Sequence, residues 1–119
     1  MKVLIVEDNP LMRRMIRRMV AGVADQISEC ADGETACSLY RELRPDWVLM
    51  DIELGQVNGI AATRRIKADD PDARVVIVTN YDDDHLRETA AVAGACGYVL
   101  KEDLAVLRQI LISTEPQPS

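Results

Sequence analysis

The 119-residue chain has no phenylalanine and only four other aromatic residues, Tyr40, Trp47, Tyr81 and Tyr98. Its core must therefore be aliphatic. The single histidine, His85, argues against a Cys/His metal centre. The cysteines, Cys30, Cys37 and Cys96, are odd in number and form no C-x-x-C pair. They are expected as reduced, mostly buried thiols of a cytoplasmic protein. No apolar run approaches the length of a membrane span, so no membrane association is expected. Met1-Lys2 leads straight into a short apolar segment, so no signal peptide is expected. Positive charge is also short: 14 Lys and Arg face 20 Asp and Glu, for a net charge of −6. That balance argues against direct nucleic-acid binding by this domain, a small basic face aside. There is no internal repeat and no low-complexity segment.

The length suits one compact domain with its own core. The composition, 48% apolar and 29% charged, is that of an ordinary globular chain. Lys2-Val3-Leu4-Ile5-Val6 is a buried-strand pattern ending on the acidic pair Glu7-Asp8. Asn9-Pro10 then fits a cap and first-turn proline. Leu11, Met12, Met15, Ile16, Met19 and Val20 follow at helical spacing, with Arg13, Arg14, Arg17 and Arg18 opposite. Residues 26–31 suggest an edge strand. A second helix is expected from Asp32-Gly33-Glu34 to about Leu43, broken at Arg44-Pro45. Trp47-Val48-Leu49-Met50 is an apolar run entering Asp51, and it reads as a strand buried on both faces. A third helix is expected over residues 59–68, and a fourth strand over 74–79, ending on Thr79. Asp82-Asp83-Asp84 opens an Ala-rich helix that stops at Gly94. Gly97 to Leu100 is a short last strand meeting Lys101. Glu102-Asp103 opens a final helix with Leu104, Leu107, Ile110 and Leu111 inward. Residues 1–112 form the domain, and 113–119, with Pro116 and Pro118, read as a tail or the start of a linker.

Strand and helix alternate five times, which predicts an α/β fold: a doubly wound parallel sheet with helices on both faces. Right-handed crossovers bring all the strand ends to one edge, and open α/β sheets bind ligands there. Asp51 alone is either a loop cap or a functional group. The pair Glu7 and Asp8, and then Asp51, Thr79 and Lys101, however, terminate four different apolar runs and would all meet at that edge. Converging carboxylates repel one another unless a cation sits among them, and Mg²⁺ prefers such hard oxygen ligands. Lysine and hydroxyl complete a set suited to phosphoryl transfer, in which a carboxylate can be the nucleophile.

In this ordered set the chain resembles the receiver domain of two-component response regulators over essentially its whole length. Glu7 and Asp8 match the family's acidic pair, Asp51 its phosphoacceptor, Thr79 its hydroxyl and Lys101 its lysine. Gly59, eight residues past Asp51, and Tyr98, three before Lys101, match as well. The resemblance implies the flavodoxin-like strand order 2-1-3-4-5, which chemotaxis receivers share. It implies Mg²⁺ held by Asp8, Asp51 and the backbone carbonyl of Glu53, with Glu7 acting through water. It implies phosphorylation of Asp51 by a histidine kinase, a phosphotransfer protein or a small donor, so that the chain is a signalling switch rather than a conventional enzyme. The switch residues would be Thr79 and Tyr98, with Tyr98 swinging inward. It further implies a homodimer through the fourth helix, fifth strand and fifth helix.

Several positions depart from the family pattern. Gly55 stands where proline is frequent, which implies a looser loop. Glu102 follows Lys101 where a cis-proline is frequent; a Lys-acid ending is shared with receivers attached to helix-turn-helix outputs. Asn80 is larger than the usual residue and narrows access to Asp51. Glu53, Asn80 and Tyr81 occupy positions expected to tune phosphoryl lifetime. Arg13, Arg14, Arg17 and Arg18 read either as a solvated helix face or as a kinase-docking surface. His85 reads as a surface residue and Trp47 as packing.

Other functions fit less well. An aspartyl phosphohydrolase wants a second Asp two residues past the nucleophile, where this chain has Glu53, and a cap domain. A flavodoxin-type electron carrier wants a hydroxyl- and glycine-rich loop after the first strand, where Glu7-Asp8-Asn9-Pro10 would repel a phosphate. Within the family two alternatives stand. One is the front part of a helix-turn-helix transcriptional regulator. The other is a degenerate receiver that binds partners without phosphorylation.

Overall fold

The computed structural model describes residues 1–55 and 57–113. The predicted tail lies outside them, apart from Ser113. The elements in chain order are β1 (Lys2–Val6), α1 (Pro10–Val20), β2 (Gln26–Cys30), α2 (Gly33–Leu43), β3 (Trp47–Met50), α3 (Gly59–Asp69), β4 (Val75–Thr79), α4 (Asp84–Ala93), β5 (Gly97–Leu100) and α5 (Ala105–Ser113). The strands form one parallel sheet in the order β2-β1-β3-β4-β5. This is the expected fold, with β2 at an edge.

Alternate residues of each strand face opposite sides of the sheet, so the core has two halves. Leu4, Val6, Val48, Met50, Val75 and Ile77 pack against Ala36, Tyr40, Ile66 and Ala90 of α2, α3 and α4. Val3, Ile5, Leu49, Val76, Val78 and Val99 pack against Ile16 and Val20 of α1 and Leu107 and Leu111 of α5. Trp47 is 1% exposed and belongs to this second half, as expected of a packing residue.

The strands deliver the chain to one edge, and Asn or Asp side chains restart it there. Asn9 accepts from the Leu11 and Met12 N–H groups, and Pro10 takes the first helical position. Asp32 caps α2, Asn58 caps α3 and Asp83 caps α4 in the same way. Asp82 accepts a hydrogen bond from Arg87.

Three expectations need correction. Leu11 and Met15, counted as inward, are 63% and 44% exposed. The buried stripe of α1 runs through Met12, Ile16, Met19 and Val20, and the two outliers sit to one side of it. Cys96 is exposed and Cys30 partly so, leaving only Cys37 buried. The last helix begins later than predicted: Lys101–Asp103 is a 3₁₀ turn, and α5 starts at Ala105.

Candidate functional site: an acidic pocket at the carboxyl edge of the sheet

β1 and β3 are neighbours, so Glu7, Asp8 and Asp51 emerge side by side. Their order is fixed by main-chain bonds: the Asp51 N–H donates to the Val6 carbonyl at 3.0 Å and the Glu7 N–H to the Cys30 carbonyl at 3.0 Å. One carboxylate oxygen from each of Glu7, Asp8 and Asp51 lies within 4.8 Å of the others. Glu7 is 1% exposed and Asp51 5%, whereas Asp8 is open to solvent. The second Glu7 oxygen accepts from the Asn9 N–H at 3.1 Å.

Lys101 reaches this cluster from the end of β5. Its Nζ lies 2.7 Å from Glu7 Oε1 and 3.4 Å from Asp51 Oδ1. The lysine thus pairs more closely with Glu7 than with Asp51. Burial pushes the Asp51 carboxyl above its ordinary range, against the pull of Lys101. Asp8 is also raised, first by burial and then by Glu7 beside it. Burial alone would lower Lys101, but the carboxylates of Glu7 and Asp51 outweigh it and raise the ammonium. An excess of negative charge with one buried cation is the environment a small divalent cation relieves. The donor set, oxygen only, fits Mg²⁺.

Thr79 is 1% exposed at the end of β4, the strand next to β3. Its Oγ1 accepts from the Tyr81 N–H at 3.2 Å. Tyr98 lies half-buried on β5, and its hydroxyl donates to the Tyr81 carbonyl at 2.6 Å. Asn80, Tyr81 and Glu53 are exposed, and the Tyr81 hydroxyl donates to the Glu53 carboxylate.

Gly59 is required by close approach. A Cβ there would sit 1.8 Å from the Asp51 carbonyl oxygen, while the Gly59 N–H donates to Ile52 at 2.8 Å. The α3 N-terminus is thereby folded back onto the Asp51 main chain.

The arginines of α1 do not form one free face. Arg13 donates to the Glu7 carbonyl at 2.9 Å and to Glu29 at 3.2 Å, and Arg17 also pairs with Glu29. Arg14 and Arg18 are exposed. His85 is exposed on α4, as expected. One participant was missed: Arg87 of α4 lies over the Tyr98 ring, 4.6 Å from its centroid. No motif marks it, because the contact arises from how α4 packs on β5.

Comparison with known proteins agrees with this geometry. Residues 3–112 match the family model described as the response regulator receiver domain. The response regulator GacA of Pseudomonas aeruginosa is 40% identical over 116 residues, covering 92% of this chain and 54% of GacA. The chain spans about half the length of the curated relatives it matches first. Among solved structures, a two-component response regulator of the LuxR family from Aurantimonas sp. is 37% identical with a TM-score of 0.89, covering 94% of this chain and 82% of that one. The CheY chain of a CheX-CheY-BeF₃-Mg²⁺ complex from Borrelia burgdorferi is 26% identical with a TM-score of 0.89, covering 98% of this chain and 90% of that one. Sheet order, acidic pocket and the match over nearly all of its length together place this chain in the receiver domain family of two-component response regulators.

Proposed function

We propose that Asp51 is the phosphoacceptor of this receiver, taking its phosphoryl group from the phosphohistidine of a histidine kinase or phosphotransfer protein. The observation that carries this is the Glu7–Asp8–Asp51 oxygen cluster with Lys101 Nζ 3.4 Å from Asp51. One Asp51 oxygen forms the new P–O bond as the donor's P–N bond breaks, and the departing imidazole nitrogen takes up a proton. Asp51 attacks as its carboxylate in this reading, which calls for no base at this end. Asp8, Asp51 and the Glu53 carbonyl would hold Mg²⁺, with Glu7 contributing through water. When bound, the metal supplies charge neutralisation for the phosphoryl oxygens. Lys101 pairs with a phosphoryl oxygen, and Thr79 exchanges the Tyr81 N–H for the incoming group. Tyr98 then reports the state through the Tyr81 carbonyl. Glu53, Asn80 and Tyr81 set how long the phosphoryl group lasts.

Docking of the donor would use Arg14 with the exposed Leu11 and Met15, while Arg13 and Arg17 mainly brace α1 against Glu29. The output is a phosphorylation-dependent contact, including homodimerisation through α4, β5 and α5, in the cytoplasm. Relatives about twice as long favour a second reading, in which the same switch controls a helix-turn-helix DNA-binding part. The intact acidic set argues against a degenerate receiver.

The test is incubation with Mg²⁺ and acetyl phosphate, read by intact mass. The wild-type protein gains one phosphoryl group and Asp51→Asn gains none. Absence of label on the wild type, or label on the variant, removes the assignment.

A further inference from the structure

Asp8 is the exposed member of the acidic cluster. Glu7 and Asp51 are packed in place, whereas Asp8 faces solvent, so packing does little to aim it. Its direction comes from the main chain that carries it. That chain leaves the sheet at this point. The paired rungs of β1 end at Val6, opposite Cys30 of β2 and Met50 of β3. The Glu7 carbonyl is the first beyond them, and a side chain supplies its partner: Arg13 Nη1 donates to it at 2.9 Å.

A peptide unit is planar and turns as a whole. The unit joining Glu7 to Asp8 contains the Glu7 carbonyl and the Asp8 nitrogen, so the arginine bond sets the plane from which Asp8 departs. The other side is closed as well. The Asn9 N–H donates to the Glu7 carboxylate at 3.1 Å, the Asn9 side chain caps α1, and the Asn9 carbonyl accepts from the Arg13 N–H at 2.9 Å. Asp8 is thus the corner of a closed hydrogen-bonded loop, to which Arg13 contributes through both main chain and side chain. The guanidinium is itself held: its Nε donates to Glu29 of β2 at 3.2 Å, and the side chain is only 24% exposed. Arg17 binds the same carboxylate from the next turn of α1 and is 48% exposed.

We propose that Arg13 is a positioning residue for the metal site: by holding the Glu7 carbonyl it keeps Asp8 turned toward Glu7 and Asp51, and so sets how tightly the pocket takes Mg²⁺. The inference rests on Mg²⁺ being held by Asp8 and Asp51. The sign of the effect separates positioning from simple electrostatics. Arg13 is a cation beside an acidic pocket, so its charge works against a second cation there, and removing that charge tightens Mg²⁺ binding. Positioning acts the other way. Without the bond the Glu7 carbonyl turns to water, the Glu7–Asp8 peptide turns with it, and the set loses a ligand. Outer partners of metal ligands change affinity by about 10- to 100-fold, more than a solvent-screened charge supplies.

The experiment uses Arg13→Met, which keeps the aliphatic stem and removes the donors, with Arg13→Ala beside it. Arg17→Met and Arg18→Met are controls that lose the same charge from the same helix. Urea unfolding checks that each variant is folded. Mg²⁺ is titrated into isotope-labelled protein and followed at the Asp8 and Asp51 amides by NMR, with no phosphodonor present. Both Arg13 variants are expected to bind Mg²⁺ about tenfold more weakly than wild type, and the controls to bind no more weakly than wild type. Acetyl phosphate labelling, read by intact mass, divides affinity from chemistry: the Arg13 variants label slowly at low Mg²⁺ and regain the wild-type rate at saturating Mg²⁺. Equal or tighter binding by Arg13→Met, equal weakening by Arg17→Met, or a labelling defect that saturating Mg²⁺ leaves in place each overturns the positioning role while the metal site stands. A wild-type protein whose Asp8 and Asp51 amides do not respond to Mg²⁺ overturns the metal site itself, and the role of Arg13 falls with it.

Discussion

Lys101 shows most directly how single residues carry the site. It is the cation next to Glu7, which is 1% exposed, and its own side chain is 9% exposed. Removing one partner of a buried pair leaves the other charge uncompensated, at a cost of about 3–5 kcal/mol. Lys101→Ala is therefore expected to lose about that much stability in metal-free buffer, measured by urea unfolding. Mg²⁺ should restore part of it, since a dication supplies the missing positive charge; a loss unaffected by Mg²⁺ would separate the lysine from the metal site. The identity of these residues was legible beforehand because each ends an apolar run. Their pairing was not: that Glu7 stands nearer to Lys101 than Asp51 does depends on side-chain directions at the end of β1. Likewise, residues at the margin of an apolar stripe, such as Leu11 and Met15, are assigned inward or outward only by the neighbour that covers them.

At the scale of elements, the loops after β1, β2, β3 and β4 lead into helices capped by Asn9, Asp32, Asn58 and Asp83. Asp32 accepts from the Thr35 N–H at 2.7 Å and its hydroxyl at 2.9 Å, which holds the carboxyl below its ordinary value of 3.8. Its folded pKa is thus below the unfolded one. The stabilisation is present above pH 3.8 and is lost as pH falls through the lower, folded value. Asp32→Asn keeps an acceptor but does not titrate. Its urea midpoint should fall less steeply than wild type between about pH 5 and pH 2. Gly59 ties α3 to the loop after β3, and a methyl there meets the Asp51 carbonyl oxygen at 1.8 Å. Gly59→Ala is expected to cost about 3 kcal/mol, as overpacking against rigid backbone does, and to slow acetyl phosphate labelling. Thermal unfolding and mass measurement check the two parts. The caps and Gly59 were visible as residue types at turn positions. The late start of α5, behind a 3₁₀ turn, was not, because acidic residues at 102 and 103 look the same in either helix type.

At the scale of the molecule, the described residues have a radius of gyration of 12.8 Å. A compact chain of this length is expected near ~13.5 Å, so these residues pack as one compact body. Mg²⁺ that binds only the folded form should stabilise all of it together. At a hundred times its Kd the gain is about 2.7 kcal/mol, roughly 10 °C in Tm for a domain of this size. Calorimetry with Mg²⁺ against EDTA measures this. Asp8→Asn should show little of the shift, and an equal shift in that variant would place the metal elsewhere.

The sequence by itself determined the alternation of strands and helices, the aliphatic two-sided core and the set of strand-end residues. These follow from local periodicity and from which side chains water rejects. Tertiary structure alone decided which of those residues touch: the three acids within 4.8 Å, Lys101 on Glu7, Arg87 over Tyr98 and Tyr81 across to Glu53. Such contacts join segments far apart in the chain, and their distances are set by strand register and helix packing rather than by any local pattern.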